Sequence, residues 1–375
     1  MTSTQPGSST LLSALELAVR APSLHNTQPW LWRVGDQEVR LYLDQARQLP
    51  ASDAQSRELI ISCGAALHHL LVALSSFGWS SRVRRLPDPG QPTYLAQVEL
   101  SARTPTGTDA ALATAIPRRR TDRRRFTSWP VPAELIGELT EMAAEQGMTL
   151  QSVTKPDLRW KLYRAIAQAA DQQAADPAHA AELAAWSGRG RGALDGVPAA
   201  NVPVTGWVPG QPPMRAFGRP ELAQPPTQGQ PEAAALLSTP ADTPLQWLRA
   251  GELTSAMLLT ATRDGLASSP LTQPLEVGNT REFLRARIAG IPSAHPQILL
   301  RIGWTPPEAE ELPRRAALWP RWSRRSTSGA TSDSHTHDRA GSSPPALNVL
   351  GTYWVPSTLR SPRNARLLSL NPRNG

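Results

Sequence analysis

Cysteine is almost absent from this chain of 375 residues, since Cys63 is the only one. An intramolecular disulfide and a zinc site built from several cysteines are therefore excluded. Cys63 lies in an apolar stretch, where we expect a small buried thiol. No apolar run reaches the roughly 20 residues that a membrane helix needs, and the apolar stretch after Leu11 is interrupted by Glu16 and has no basic leader. We expect a cytoplasmic protein without a membrane partner.

The sequence also lacks the short motifs of several large enzyme classes. It has no G-x-G-x-x-G after a predicted strand, no G-x-x-x-x-G-K-[ST] and no G-x-S-x-G, which removes the usual signatures of Rossmann enzymes, P-loop NTPases and esterases. His68 and His69 lie in an apolar helical stretch, and His335 and His337 have no third ligand beside them. We therefore predict no metal site.

Basic residues are concentrated near one end of the chain. The formal net charge is +8, but residues 313–375 hold ten arginines and two acids, which leaves residues 1–312 neutral with 29 bases and 29 acids. A nucleic-acid groove on this neutral body is not expected. Binding of nucleic acid through the arginine-rich end is an alternative that rests on composition alone.

The apolar periodicity predicts a protein of mixed helices and strands. Helices are predicted from Leu11 to a stop at Pro22, near Asp109, and over 57–77, 132–146, 158–175, 245–263 and 281–289; strands are predicted over 38–44, 81–86, 94–100, 150–153 and 296–304. In both parts of the chain a long helix is followed by a glycine, Gly78 or Gly265, and then by strands. This shared order indicates a distant duplication rather than an array of repeats.

Two segments interrupt these patterns. Glycine and proline are dense over 188–240, and so long a loop in a compact body is typical of either a lid or disorder. Beyond Trp319 the chain is rich in serine, arginine and proline without periodicity, which indicates disorder. We divide the chain into a first half, residues 11–108, a second half, residues 109–318, with a lid inserted near 188–240, and a disordered tail, residues 319–375.

One loop, APSLHNTQPW at 21–30, is polar where a core would be apolar. Asn26 and Gln28 each carry an amide that offers both a donor and an acceptor, as the pyrimidine edge of a flavin requires. The simpler alternative is a loop in which Asn and Ser only satisfy backbone groups. We favour a ligand site, because the whole string would otherwise be a coincidence.

An arginine cluster, IPRRRTDRRRF at 116–126, surrounds one aspartate with six arginines. Such a density of forked donors fits a phosphate monoester. Arg119, Thr121 and Arg123 alternate, so in an extended stretch they point to the same side, while Asp122 points elsewhere and orients its neighbours. The alternative is a solvated face, since a run of charge is often no more than that, and some of the six arginines must be solvated.

Together with GLASSPLTQPLEV at 265–277, these two strings resemble the nitroreductase superfamily, and most of all its Acg-type branch of fused NAD(P)H nitroreductases. The resemblance covers most of residues 11–318. It implies an α+β, nitroreductase-like fold of two fused, unequal halves that form a pseudo-dimer, each a mostly antiparallel sheet packed with helices. In ordinary members, which are homodimers, the two strings come from different subunits and meet on one FMN. Here one chain carries both, which implies a monomeric pseudo-dimer.

The resemblance also implies which residues contact the FMN cofactor. The residues that it places against the flavin ring and ribityl chain are Pro22, Ser23, Leu24 and Asn26, with Gln28 nearby. Those that it places on the phosphate are Arg119, Thr121 and Arg123, with Arg314 and Arg315 at the position of the C-terminal phosphate-binding bases. Those that it places near the N5 edge of the ring are Pro270, Leu271, Thr272 and Gln273. No catalytic side chain is expected, because the chemistry belongs to the flavin.

The chain departs from the family pattern in ways that limit the number of sites. The first half has no R-x-[ST]-x-R and the second half has no P-S-x-x-N-x-Q-P-W, so only one composite site can be complete. We expect one FMN per chain and a first half that is degenerate. Family chains end soon after the paired bases, so the resemblance assigns no role to residues 319–375.

The implied activity is the transfer of hydride from NAD(P)H through FMN to a small aromatic acceptor such as a quinone or a nitroarene. The alternative is a catalytically silent, flavin-sequestering protein in which the lid covers the flavin. The loss of one site and the insertion near 188–240 favour this alternative, and the Acg-type branch has such a covering segment.

Overall fold

The computed structural model describes residues 6–35, 38–190, 192–204, 215–224, 233–309, 311–312 and 322–324. All of them belong to one compact unit, Met1–Ser326. The nine α-helices of this described part are α1 (Ser8–Ala18), α2 (Arg57–Ser76), α3 (Gly107–Ala115), α4 (Ala133–Glu145), α5 (Pro156–Ala174), α6 (Pro177–Trp186), α7 (Pro244–Arg263), α8 (Gln273–Glu276) and α9 (Gly278–Arg287).

Eleven strands accompany these helices in the described part of the chain. They are β1 (Trp30–Val34), β2 (Glu38–Leu43), β3 (Trp79–Arg85), β4 (Tyr94–Ala102), β5 (Thr149–Ser152), β6 (Ser187–Arg189), β7 (Val197–Pro198), β8 (Ala233–Thr239), β9 (Ala267–Leu271), β10 (His295–Gly303) and β11 (Trp322–Arg324).

Two antiparallel sheets of the same strand order form the framework. The first runs β1-β2-β4-β3, with β11 added in parallel to the outer edge of β1, and the second runs β5-β8-β10-β9. In each sheet the second and third strands along the chain are joined by a 20-residue helix, α2 or α7. The helices α5 and α6 and the short pair β6-β7 lie between β5 and β8, without a counterpart in the first sheet. The architecture is α+β, built on two related sheets.

Helices α2 and α7 pack against each other through a pair of glycines. A Cβ on Gly64 would lie 2.0 Å from the carbonyl oxygen of Leu248, and a Cβ on Gly251 would lie 1.9 Å from that of Ile61. Further along, His68 of α2 contacts the hydroxyl of Ser255 on α7 at 2.8 Å. Residues later in α2 thus contact residues later in α7, so the two helices run in the same direction.

The spacing of glycines in these helices repeats along the chain. Gly251 follows Gly64 by 187 positions, and Gly265 follows Gly78 by the same interval. Gly78 and Gly265 end their helices with φ of +85° and +84°, in the left-handed region that glycine adopts without strain. The helix, the close-contact glycine and the terminating glycine therefore occur twice in equivalent places, as a duplication requires.

Helix α2 is the most apolar long helix of the described residues. By length and composition it could cross a membrane, but 78% of its apolar window is buried inside the protein. Its side chains form the centre of the main core, together with those of α7 and of both sheets. The composition of α2 is therefore explained by its place in that core.

Several elements were not predicted from the sequence, and each has an identifiable physical reason. β8 reads AAALLST, and alanine is a poor strand former, but every residue of β8 is buried at the centre of the second sheet. β9 contains Pro270, which is tolerated because β9 is an edge strand. The other unpredicted elements are short or irregular: β1, β6, β7, β11, α6 and α8.

Two predicted boundaries change as a result. The Gly/Pro-rich segment, expected near 188–240, ends before Ala233, because Ala233–Thr239 is a central strand. The disorder predicted over 319–375 is wrong for Trp322–Arg324, which pairs with β1. The other residues of that tail lie outside the described part of the chain.

Candidate functional site

The larger of two adjoining cavities lies between the first turns of α2, the loop after α1 and the β9-β10 edge. It holds about 870 Å³ of empty space, a figure that includes space open to solvent. Apolar and polar groups alternate around it. Its lining includes Pro22, Ser23, Leu24, His25, Glu58, Ile61, Ser62, Ala65, Thr121, Arg123, Arg215, Phe217, Thr254, Ser269, Pro270, Leu271, Thr272, Ile298 and Arg301.

The smaller cavity, of about 450 Å³, is basic. It shares Ser23, Thr121 and Arg123 with the larger cavity, so the two adjoin at these residues. Arg119, Arg120 and Arg123 line it, and no acidic residue of the described part of the chain does. Its other lining residues are Asn26, Gly196, Val197, Pro198, Asn201 and Leu312. The combined space thus has a mixed chamber at one end and a cationic chamber at the other.

The arginine cluster is held in place by β9. Thr121 forms a β-bridge with Ser268, and the amide of Asp122 donates to the Ser268 carbonyl at 2.9 Å. The Asp122 carboxylate accepts from the buried Arg124 guanidinium at 2.8 Å. Arg119, Thr121 and Arg123 line the basic cavity and Asp122 does not, but Arg120 lines it as well, which the alternation does not predict.

Arg119 is buried, its Nη2 atom donates to the Arg20 carbonyl at 3.4 Å, and no carboxylate of the described residues pairs with it. It is 4% exposed, and its Nε and Nη1 atoms have no hydrogen-bond partner. Burial and the neighbouring Arg120 and Arg123 lower the pKa of Arg119 to about 10. Burial and Arg215 likewise lower the pKa of Arg123 to about 10, against the opposing effect of Asp122. Buried unpaired donors are costly, so this cavity is suited to bind an anion.

The polar loop 21–30 adopts a strained backbone above α2. His25, Asn26 and Gln28 have φ of +46°, +59° and +52°, in a region that non-glycine residues rarely occupy. One hydrogen bond within the loop and one to α2 hold it in place. Ser23 Oγ accepts from the Gln28 amide, and the hydroxyl of Ser62 on α2 accepts from the Leu24 amide, each at 3.1 Å. The string thus forms one wall of the larger cavity.

The side-chain amides of this loop bind the Gly/Pro-rich segment. Asn26 Nδ2 donates to the Gly196 carbonyl at 2.9 Å, and Gln28 Nε2 donates to the Leu194 carbonyl at 2.7 Å. Asn26 also lines the basic cavity, whereas Gln28 lines neither cavity. The structure brings Pro22, Ser23, Leu24 and Asn26 to the site and places Gln28 behind it.

The third predicted string contributes part of the wall. Pro270, Leu271 and Thr272 line the larger cavity, but Gln273 is buried outside it and donates to Gln173 of α5 at 3.1 Å. Arg314 and Arg315 lie outside the described residues.

Residues of the Gly/Pro-rich segment reach into the larger cavity. The guanidinium of Arg215 donates to Glu276 at 2.6 Å and to Nε2 of His25 at 3.1 Å, so the ring proton of His25 is on Nδ1. Phe217 packs edge-on against His25, with 5.8 Å between ring centroids, and the Arg123 guanidinium lies 5.0 Å from the Phe217 ring centre. Burial and Arg215 lower the pKa of His25 to about 3, which keeps the imidazole neutral.

Glu276 holds Arg215 in position. Besides Arg215, its carboxylate accepts from the Thr272 hydroxyl at 2.6 Å and from Gln173 Nε2 at 2.8 Å. These partners outweigh burial and lower the pKa of Glu276. Arg215 and Phe217 are therefore anchored by a buried ion pair rather than by surface contacts.

Sequence reasoning missed the contribution of α2 to the site. Glu58, Ile61, Ser62 and Ala65 line the larger cavity from successive turns of this helix. The apolar stripe of α2 concealed them, because it predicted only core packing. The signal that was present is Glu58, a charged residue at the start of an otherwise apolar helix.

The duplication places an ion pair where a second cavity would lie. Ala65 and Thr272 line the larger cavity, and the residues related to them by 187 positions are Glu252 and Arg85. Arg85 donates to both carboxylate oxygens of Glu252, each at 2.7 Å. At these two positions, an ion pair therefore takes the place of the residues that line the cavity.

Comparison with known proteins agrees with this architecture. The chain is 45% identical over 312 residues, 82% of its own length and 89% of the relative's, to "Putative NAD(P)H nitroreductase Rv3131" of Mycobacterium tuberculosis H37Rv. It is 36% identical over 310 residues, 80% and 90% of the two lengths, to "Putative NAD(P)H nitroreductase acg" of the same strain. A crystal structure of the FMN-dependent nitroreductase NfnB from Mycobacterium smegmatis in complex with NADPH is 18% identical, covers 55% of this chain and 95% of that one, and has a TM-score of 0.34.

The match to a family description falls on the second part of the chain. The nitroreductase family model matches residues 116–304, which begin at the arginine cluster and end after β10. The polar loop 21–30 lies before this match. Because the family model matches half of the chain and the two relatives are 45% and 36% identical over most of it, the chain belongs to the nitroreductase family.

Proposed function

We propose that this protein binds one FMN per chain and uses it as a nitroreductase-type oxidoreductase that takes hydride from NAD(P)H. The observation that carries the proposal is the buried guanidinium of Arg119, with two donor atoms that lack a hydrogen-bond partner, in a basic cavity that adjoins a larger mixed one. A phosphate monoester would supply the missing acceptor, and a planar ring would occupy the larger cavity.

The residues of the two cavities suit the parts of FMN. Arg119, Thr121 and Arg123 would hold the phosphate, since they line the basic cavity. Ser23 and Leu24 on one side and Pro270, Leu271 and Thr272 on the other would enclose the ring. The counterpart of the site is closed by Arg85 and Glu252, which supports one FMN per chain.

When bound, FMN supplies two-electron chemistry between NAD(P)H and a small aromatic acceptor such as a quinone or a nitroarene. The chain itself has to orient the ring, exclude water and place positive charge beside it. Arg123, Arg215 and Arg301 all line the larger cavity and provide that charge. The names of the relatives at 45% and 36% identity support NAD(P)H as the reductant.

A second candidate function is flavin sequestration without turnover. Arg215 and Phe217, from the Gly/Pro-rich segment, line the cavity and are anchored through Glu276 and His25. An aromatic ring in this place would occupy space that a nicotinamide or an acceptor needs. This observation supports a covering role for the segment.

A visible spectrum of the purified protein, before and after adding NADPH under nitrogen, tests both candidates. Flavin absorption that bleaches supports a working reductase, and flavin absorption that persists supports sequestration. No flavin absorption after incubation with FMN would overturn both.

We also propose a cytoplasmic protein that is a monomeric pseudo-dimer, with residues 11–108 and 109–318 as its halves. The repeated strand order and the α2-α7 pair support the division. Light scattering during gel filtration should give the mass of one chain, about 41 kDa, and a mass twice as large would contradict it.

A further inference from the structure

Glu58 is the only carboxyl group that lines the larger cavity among the described residues. It belongs to the first turn of α2 and is 2% exposed. A carboxyl group in that place is unexplained by the binding of FMN, because the ring and phosphate call for donors and positive charge. Its protonation state therefore matters for what the cavity can do.

Two other carboxylates near Glu58 already have a guanidinium each. Asp242 accepts from both Nη atoms of Arg281, at 2.8 and 2.9 Å, and Glu276 accepts from Arg215 at 2.6 Å. Both carboxyl groups have pKa values below their usual range, owing in part to these guanidinium groups. Arg281 and Arg215 are thus committed to other partners.

Asp53 and Glu58 are left to share one guanidinium. Arg57 donates to the Glu58 carboxylate, while its other contacts are the carbonyl of Leu275 at 3.1 Å and the backbone and side chain of Gln297 at 3.0 and 3.2 Å. Asp53 is 5% exposed and accepts from the amide of Leu59 at 3.0 Å. Two buried carboxyl groups beside one cation leave one negative charge in excess, which a proton would neutralise.

The pKa values of Asp53 and Glu58 agree with this excess of one negative charge. Burial raises the pKa of Glu58 to about 8, and the negative charges of Asp53 and Glu276 raise it too. The positive charges of Arg57 and Arg281 oppose this shift. Burial also raises the pKa of Asp53, against hydrogen bonds from the helix amides. Because the two groups are coupled, the proton belongs to the pair rather than to one residue.

We propose that the Asp53–Glu58 pair holds one proton at neutral pH and that Glu58 delivers it to the acceptor in the larger cavity. This inference rests on the proposed function. Reduction of a quinone takes a hydride, with its two electrons, from NAD(P)H and one further proton. The O–H bond of Glu58 breaks, an O–H bond forms on the quinone oxygen, and the resulting carboxylate regains a proton from solvent.

The other ionisable groups of the cavity are poor proton donors. His25 is neutral and its Nε2 accepts from Arg215. Arg123, Arg215 and Arg301 line the cavity, and guanidinium groups hold their protons far above neutral pH. Glu58 is therefore the group that can move a proton inside the cavity.

The first test needs no cofactor and asks whether the pair is protonated. The free energy of unfolding is measured against pH for wild type, Glu58→Gln and, as a control, Glu134→Gln, which removes an exposed carboxyl from the first turn of α4. Because the pKa of Glu58 is raised in the folded protein, the stability that its protonation contributes is present below a pH of about 4.5 and is lost as the pH rises through about 8. Wild type should lose stability relative to Glu58→Gln over this range, and parallel curves would overturn the proposal.

The second test asks whether the proton is delivered. In the FMN-loaded full chain, Glu58→Gln should slow the reoxidation by a quinone by about 100-fold more than it slows the bleaching by NADPH, the scale of general acid catalysis. The wild-type rate should fall above a pH of about 8, and the rate of the variant should not depend on pH there. Equal rates for the two proteins would contradict delivery by Glu58.

The two proposals fail in distinguishable ways. A wild-type protein that does not bind FMN, or whose flavin NADPH does not bleach, overturns the proposed reductase and with it the delivery step. The unfolding curves still decide whether the pair holds a proton. A reductase that is active and yet indifferent to Glu58→Gln overturns only the role of Glu58.

Discussion

Gly64 and Gly251 lie in the contact between α2 and α7, each beside a backbone carbonyl of the other helix. Neither position can carry a Cβ without moving a backbone, because 2.0 and 1.9 Å are far below any contact distance. The two glycines also occupy equivalent places in the duplicated halves. Equivalent positions of the two helices thus contact each other, as expected of an interface on a pseudo-twofold axis.

Gly64→Ala and Gly251→Ala should each destabilise the protein by about 3 kcal/mol, the upper range for overpacking a core. Gly137→Ala is a matched control, since it lies within α4 and has nothing within 4 Å of an added Cβ. That variant should gain up to about 1 kcal/mol from helix propensity. Urea unfolding measures all three, and a tolerated Gly64→Ala would contradict the close helix contact.

Arg119→Ala and Arg123→Ala should each weaken FMN binding by about 1.5–3 kcal/mol, the scale of a hydrogen bond to a charged group. Arg118→Ala is the control, because Arg118 is exposed and lines neither cavity. Fluorescence quenching of FMN gives the affinities. Full occupancy in the Arg119→Ala, Arg123→Ala double variant would exclude these residues as the phosphate site.

Arg85→Ala should cost about 2 kcal/mol of stability, because it leaves the Glu252 carboxylate buried without its partner. Burial already raises the pKa of Glu252, and loss of Arg85 raises it further. The loss should therefore be small near pH 4.5 and grow as pH rises. Arg82→Ala, an exposed change on the same strand, is the control. One FMN per chain should still bind, and a second bound FMN would show that the ion pair alone closes the counterpart site.

Phe217→Ala should increase the rate at which NADPH bleaches the flavin by about tenfold, a barrier change of about 1.4 kcal/mol. The reason is that Phe217 lines the cavity and packs against His25. Arg219→Ala, exposed in the same segment, should have no effect. Stopped-flow absorbance measures the rate. An unchanged rate in Phe217→Ala would remove this ring as the cause of slow or absent turnover.

The sequence predicts the long elements and the anion-binding string for clear reasons. The periodicity of α2 and α7 is strong, and the alternation of Arg119, Thr121 and Arg123 places them on one side of an extended stretch, as the structure has them. What it could not reveal depends on tertiary contacts. β8 is a strand because it is buried between two others, although its alanines disfavour it.

The same limit applies to individual site residues. Asn26 and Gln28 have amides suited to a flavin, but these amides bind backbone carbonyls of a segment some 170 residues away. The charge of Glu58 in an apolar helix is visible in the sequence, but its place beside the cavity is not, because that place depends on the packing of α2 against the loop 21–30. A short sequence motif shows the chemistry of a side chain, but it does not show which group that side chain contacts.

The pairing of α2 with α7 within one chain has a genetic consequence. In a homodimer every substitution enters both copies, so a change that helps one side of the interface is imposed on the other. Here position 65 is alanine and position 252 is glutamate, a combination that no symmetric dimer could encode. Within one chain the two positions can differ, so that alanine lines a cavity at one of them while glutamate holds an ion pair at the other.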